Sequence, residues 1–455
     1  MINPNPNPWA MAPFAILLAA MALGPVVAHT WWTRHYAKMA LGLGAITDAY
    51  YIFGLHAPGS VGHAAHEYFS FVTLVGGLFV VAGGIHIGVR SRGRPLGNVL
   101  FLLIGAVLAN LLGTTGAAML LIRPWIRLNQ ARIKAFHIVF FIFVVANVGG
   151  CLTPIGDPPL FLGYLQGVPF WWVAEHCWRM WAVGVGLLLA GFYCLDQRDF
   201  ARAAAQPPAG AVHPEVVGDI KPVHLGELDD LSSRPKAATC RRTPKWPAGG
   251  NWRLEGRANL VFLAVMLGAV FVNHPVFLRE GLMVAAALGS YFTTPKAVHE
   301  ANGFNFHPIQ EVAILFAGIF ATMLPALDWL GTHAGGWLGP NPAPGVFYWG
   351  TGLLSSVLDN APTYLAFFRS LTGVAAAPDT AALLQGQAAS VAALSVGAVF
   401  FGAATYIGNG PNFMVKAIAD QEKIPMPSFV EFVVKQTLPW LLPVLVIVWL
   451  GFFRG

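Results

Sequence analysis

Two aspartates stand where the chain should be crossing lipid. Asp157 lies within TPIGDPPLF (153–161) and Asp359 within SSVLDNAPTYLAFF (355–368), each beside Gly, Pro, Thr or Asn inside otherwise apolar sequence. A carboxylate at the centre of a membrane helix costs roughly 2.5–3.5 kcal/mol even on the lenient insertion scale, so such residues mark ion pathways by default. Two acids near one site repel when both are ionised, so one is expected to take a proton or a cation. Na⁺ and H⁺ then compete for the same oxygens, and sodium is expected at Asp157 and Asp359. Thr153, Thr405, Asn360 and Asn409 offer neutral oxygen ligands suited to a hard cation. Thr114, Thr115, Asn147, Asn412 and Thr363 stand close by in support. The plainer alternative is that each Asp only caps a half-helix.

Glu67 and Glu311 begin the spans that precede the two polar hairpin tips, which suggests a shared role in bracing a hairpin or in a proton path. His63, His66 and Glu67 spell HAAHE, but the zinc-protease order HExxH is missing and no third ligand set accompanies it. The four cysteines, Cys151, Cys177, Cys194 and Cys240, show no metal or disulfide spacing. No cofactor is called for beyond transported Na⁺ and H⁺, and no enzymatic chemistry is expected.

The chemistry-bearing segments recur. TPIGDPPLF and TYIGNGPNF (405–413) share Thr, Ile, Gly, Pro and Phe in register, 252 residues apart, with Asp157 falling on Asn409. TTGAAML (114–120) falls on DNAPTYL (359–365) at a closely similar distance along the chain, setting Thr114 against Asp359 and Thr115 against Asn360. Gly and Pro inside an apolar span free backbone N–H and C=O groups, which is tolerated only where those groups line a cavity or bind something.

What positions these segments follows from composition. Of 455 residues 56% are hydrophobic and 11% charged, and the mean hydropathy is +0.60. A soluble chain keeps about 25% of its residues charged, so most of this one faces lipid or other apolar helices. The formal charge of +6 sits in short loops, as the positive-inside rule expects, and gives no reason to expect a nucleic-acid partner. A bilayer core about 30 Å thick needs roughly 20 helical residues. Suitable runs fall near 10–29, 38–55, 68–89, 135–152, 176–195, 257–274, 277–294, 308–330, 388–405 and 429–452. Stretches 97–122 and 346–371 are broken at their centres and read as re-entrant hairpins. Arg90, Arg92 and Arg94 before the first, and Arg123, Arg127, Arg132 and Lys134 after it, put both its ends on the cytoplasmic side.

The expected architecture is an all-α polytopic membrane protein of two inverted repeats. Residues 1–195 hold the hairpin 97–122 and a broken helix around 151–159. Residues 257–455 hold the hairpin 346–371 and a broken helix around 405–412. Each half has about five spans, both termini lie outside, and 196–256 is a poorly ordered cytoplasmic connector. The inverted repeat is the plan of many secondary transporters.

GGCLTPIGDPPLFLGYLQGVPFWW (149–172) and SSVLDNAPTYLAFF resemble the two signature regions of a sodium/proton antiporter-like, citrate-transporter-like branch of the ion-transporter superfamily. The resemblance spans most of the chain outside 196–256. It implies a homodimer with a scaffold domain and a transport domain that moves like an elevator. In dicarboxylate relatives Ser-Asn-Thr motifs at the hairpin tips bind sodium and carboxylate. Here Thr114–Thr115 and Asp359–Asn360–Ala361–Pro362–Thr363 stand in their place. The expected function is Na⁺/H⁺ antiport across the bacterial inner membrane, with the lipid bilayer and small ions as partners. The alternative is a carrier of a small organic anion such as citrate or a dicarboxylate, or of arsenite, on the same fold.

Overall fold

The computed structural model describes residues 6–89, 93–205, 252–272, 274–339 and 342–454. The first half runs through α1 (Ala12–Val27), α2 (His29–Ala49), α3 (Pro58–Gly83), α4 (Pro95–Asn129), α5 (Ala135–Val144), α6 (Pro158–Leu165) and α7 (Trp172–Ala205). The second contains α8 (Asn259–Ala269), α9 (Leu278–Thr293), α10 (Lys296–Asn302), α11 (His307–Thr322), α12 (Leu324–Leu338) and α13 (Pro344–Ser355). It continues with α14 (Asn360–Ala375), α15 (Thr380–Gly402), α16 (Gly410–Gln421), α17 (Phe429–Phe432) and α18 (Leu442–Phe452). A short antiparallel pair, β1 (His86–Val89) and β2 (Trp252–Glu255), joins the two halves.

The chain is an all-α membrane protein in its dominant structure. Among the described residues five helices are long and apolar enough to cross a bilayer, and a sixth span forms if α10 and α11, bent by 73°, count as one. That is fewer than the five spans per half expected from hydropathy, because several apolar runs are divided into helices too short to cross alone. α4 is one of the five by length, yet it is not a single straight helix. Gly113 turns its backbone at φ 73°, ψ 155°, a region essentially reserved for glycine. The arms then fold back on each other: Gly93 N–H donates to the Leu128 carbonyl at 2.8 Å, Asn98 Nδ2 to Asn129 Oδ1 at 2.8 Å, and Phe101 packs on Trp125. The chain thus turns back on itself at Gly113, inside the expected 97–122, with paired arms that span 95–129. In the second half α13 and α14 pack together across the turn at Ser356–Asp359, with Phe367 against Gly350.

Two sets of packing surround the site. α2 lies along α11 and α3 along α9, while α15 packs on α13 and α14 on α12 and α6. Backbone contact is close: a Cβ on Gly318 would sit 2.7 Å from the Ala40 carbonyl, and one on Gly397 2.5 Å from that of Tyr348. Small residues allow such approach where lipid gives no hydrophobic push.

The base of the first hairpin is pinned by charge. Asp196 on α7 is fully buried and takes the Arg132 guanidinium, Asn98 Nδ2 at 2.8 Å and His137 Nε2 at 3.1 Å. His137 Nδ1 accepts the Lys134 backbone N–H at 3.2 Å, so its proton sits on Nε2 and points at Asp196. Lys134 pairs with Asp199. The connector expected to begin at 196 thus starts later. α7 continues to Ala205 because these acids are neutralised by partners more than sixty residues earlier. Residues 206–251 lie outside the described part, as does Cys240.

Candidate functional site

The breaks form by the same local geometry in both halves. In the first, Thr153 Oγ1 donates to the Asn110 carbonyl at 2.6 Å and accepts the Gly156 N–H at 3.1 Å. In the second, Thr405 Oγ1 donates to the Ser356 carbonyl at 2.6 Å and accepts the Gly408 N–H at 3.1 Å. Each threonine staples its break to the adjoining hairpin. Both were expected as cation ligands; the bonds described for their hydroxyls are to backbone groups of the break and the hairpin.

Paired glycines let each break close. A Cβ on Gly156 would lie 2.0 Å from the Gly150 carbonyl, and one on Gly408 would lie 2.7 Å from that of Gly402. Gly150 and Gly156 recur at Gly402 and Gly408 with the same 252-residue offset as Asp157 and Asn409. The tip of the first hairpin joins here, with Thr114 N–H donating to the Gly156 carbonyl at 2.8 Å. Asn110 completes the collar. Its Nδ2 donates to the Gly149 carbonyl at 2.7 Å and its Oδ1 accepts Leu152 N–H at 2.8 Å. Sequence reasoning missed Asn110 and the first glycine of each pair, although extending the repeat three residues upstream of Thr153 would have found the glycines.

Asp157 is the centre of the assembly. It occupies the N-cap position of α6 but makes no capping bond, and it is 1% exposed. Its carboxylate instead accepts Thr114 Oγ1 at 2.7 Å, Asn409 Nδ2 at 2.9 Å and Asn360 Nδ2 at 2.5 Å. These donors come from the first hairpin tip, the second break and the second hairpin tip. Residues far apart in sequence are thus brought onto one carboxylate.

Asp359 behaves differently. Its side chain accepts the Ala361 N–H at 3.1 Å and caps α14, the plainer role weighed for both acids. It remains within Coulombic range of Asp157. Thr363 donates back to the Asp359 carbonyl at 3.0 Å, inside its own helix, and so stays out of the shell around Asp157. Asn147 and Asn412 sit behind Asn409, bonded to each other at 2.6 Å. Asn360 Oδ1 is buried with no hydrogen-bond partner.

Electrostatics can be sized. The N-termini of α6, α14 and α16 all begin at this point, with Asp157, Asp359 and Asn409 as their N-caps. At about half a charge each they supply at most about +1.5, against −2 for the two carboxylates when ionised. One monovalent cation or one proton more than closes the difference. The cavity beside the carboxylate is about 20 Å³, bounded by Leu74 and Leu78 of α3, Gly113–Gly116 including Thr115, Pro154–Pro158 and Phe161. That is room for about one water. No cationic side chain lines it.

Glu67 and Glu311 lie away from this centre. Glu67 accepts Gln166 Nε2 at 2.6 Å and pairs with His63 at 3.2 Å, tying α3 to the end of α6. Gln166 carried no sequence signal. Glu311 on α11 is in Coulombic range of Tyr36 on α2. His66 packs edge-on against Phe277, and no group of three His, Cys, Asp or Glu able to hold a metal occurs among the described residues. Cys151, Cys177 and Cys194 are free thiols.

Long apolar helices, a hairpin that turns back at glycine and a carboxylate enclosed between two chain breaks define a multi-pass membrane protein with a buried polar centre. A family model described as "Putative citrate transport" matches residues 4–453, and the chain belongs to that family of membrane transporters. No curated protein matches it.

Proposed function

We propose that the protein is a secondary active transporter exchanging Na⁺ for H⁺, with Asp157 as the group that alternates between them. The observation that carries this is the enclosure of Asp157 by Thr114, Asn360 and Asn409 beside a cavity of about 20 Å³. The donors and helix N-termini that would otherwise receive an anionic substrate already hold the protein's own carboxylate. A dehydrated cation or a proton fits the remaining space; a tricarboxylate does not. Asp359, the residue immediately before Asn360, supplies the second negative charge that draws a cation in. The two stapled breaks support an inverted repeat in which hairpins and breaks travel together past α2, α3, α9 and α11, in an elevator-type homodimer.

The family description favours a second reading, citrate carriage. In that case the anion would arrive with its own cation and the site would open well beyond the enclosed form. Proteoliposomes loaded at acidic pH separate the two. Exchange predicts ²²Na⁺ uptake driven by the proton gradient and no labelled citrate uptake. Sodium-dependent citrate uptake without gradient-driven sodium flux would replace the first reading by the second.

A further inference from the structure

Asn409 owes its orientation to two other amides. Asn412 Nδ2 donates to the carbonyls of Gly402 and Thr405, both at 2.8 Å. An amide nitrogen held by two carbonyls leaves its oxygen facing the other way. That oxygen receives Asn147 Nδ2 at 2.6 Å, and the same nitrogen reaches the Ile142 carbonyl at 2.8 Å. With its nitrogen so fixed, Asn147 turns Oδ1 toward Asn409 and accepts Asn409 Nδ2 at 3.2 Å. The Asn409 nitrogen meets three acceptors: Asn147 Oδ1, the Ala146 carbonyl at 3.3 Å and Asp157 Oδ1 at 2.9 Å. Turning any of the three amides over sets oxygen against oxygen. All three residues are at most 2% exposed, so water does not repair the mismatch.

The relay breaks the internal repeat. At the 252-residue offset Asn412 answers to Leu160, Asn147 to Val399 and Asn409 to Asp157. One half carries the acid, the other carries the amide that faces it, and Asn147 reaches across from the acid's own half to orient that amide.

We propose that Asn147 and Asn412 are positioning residues for the transported ion: through Asn409 they keep an N–H aimed at Asp157, so that its carboxylate is held ready for a cation. The proposal takes its cargo from the exchange reading, while the relay stands on the hydrogen bonds alone. A donor withdrawn from Asp157 leaves it a poorer competitor for a cation against a proton, with the translocation step itself untouched.

The test is a double-mutant cycle in proteoliposomes. Asn147→Val and Asn412→Leu install the residues of the other half. Each is expected to raise the KM for sodium about tenfold, equivalent to about 1.4 kcal/mol, and to leave Vmax within about twofold. In an Asn409→Ala background neither adds to the loss, because the amide they orient is gone. Additive losses, or an unaltered KM in the single variants, would overturn the relay. Asn412→Leu leaves two carbonyls unpaired; if it is not recovered folded, Asn147→Val alone completes the cycle. Wild-type protein without sodium flux but with citrate uptake counts against the exchange reading only, and the same cycle is then read on the KM for citrate.

Discussion

Asn360 Nδ2 donates to Asp157 Oδ2 at 2.5 Å, joining the tip of the second hairpin to the break of the first half across 203 residues of chain. A carboxylate served in this way by both halves is a place where removing a single charge acts on each of them. Asp157→Asn replaces an acceptor by a group whose own N–H must face Asn360, Asn409 or Thr114. Loss of exchange by at least about 100-fold is expected, on the scale of one buried charge-assisted contact or more. The readout is gradient-driven ²²Na⁺ uptake, with size-exclusion chromatography to show that the variant is folded.

Asp359→Asn should part stability from transport. Asparagine caps a helix as well as aspartate does, so the bond to Ala361 N–H survives and thermal stability is expected to shift by less than about 0.5 kcal/mol. The second negative charge disappears, and the KM for sodium rises. Unchanged sodium kinetics in this variant would leave Asp359 as a cap and nothing more.

Gly113→Ala tests the hairpin turn. At φ 73°, ψ 155° an alanine costs about 1–3 kcal/mol, and its Cβ would also lie 3.2 Å from the Ile155 carbonyl. A lower melting temperature with reduced flux is expected. An alanine variant as stable as wild type would mean that the turn is not held in this conformation.

Arg132→Ala strands Asp196 in a fully buried position. Breaking a buried ion pair by removing one partner costs about 3–5 kcal/mol, so this variant should be among the least stable. Arg132→Ala combined with Asp196→Leu removes both charges and should recover part of the loss. The comparison is made by thermal unfolding in detergent; equal damage from the single and double variants would show that the pairing is incidental.

Glu67→Gln separates bracing from proton conduction. A glutamine oxygen still accepts from Gln166, as Glu67 does at 2.6 Å, so bracing predicts flux within about threefold of wild type, the scale of one modest hydrogen bond. A loss as large as that of Asp157→Asn would instead place Glu67 on the proton's route.

Several parts of this arrangement could be read from letters alone, and the reasons are local. TPIGDPPLF and TYIGNGPNF repeat because the same staple, Thr to hairpin carbonyl and Gly N–H to Thr, is built twice. Asp157 drew attention because an acid in an apolar span is costly. What stayed hidden was direction. Thr153 and Thr405 have the same hydroxyl whether they hold an ion or a carbonyl, and only the fold shows that they hold carbonyls. The two aspartates looked alike, yet one caps its helix and the other does not. The start of the connector was misplaced because Asp196 and Asp199 read as solvated charges when taken alone. Their partners, Arg132 and Lys134, lie beyond any local window. Gly93, Asn98 and Asn129 lengthened the hairpin for the same reason.

The crossing of Gly150 with Gly156, and of Gly402 with Gly408, leaves no slack between strands of backbone that already touch. A joint this tight bends poorly. Motion about Asp157 is then expected at the hairpin tips, or of the knot as a whole, rather than within the knot. Four missing methyl groups thereby decide where in the molecule motion is permitted.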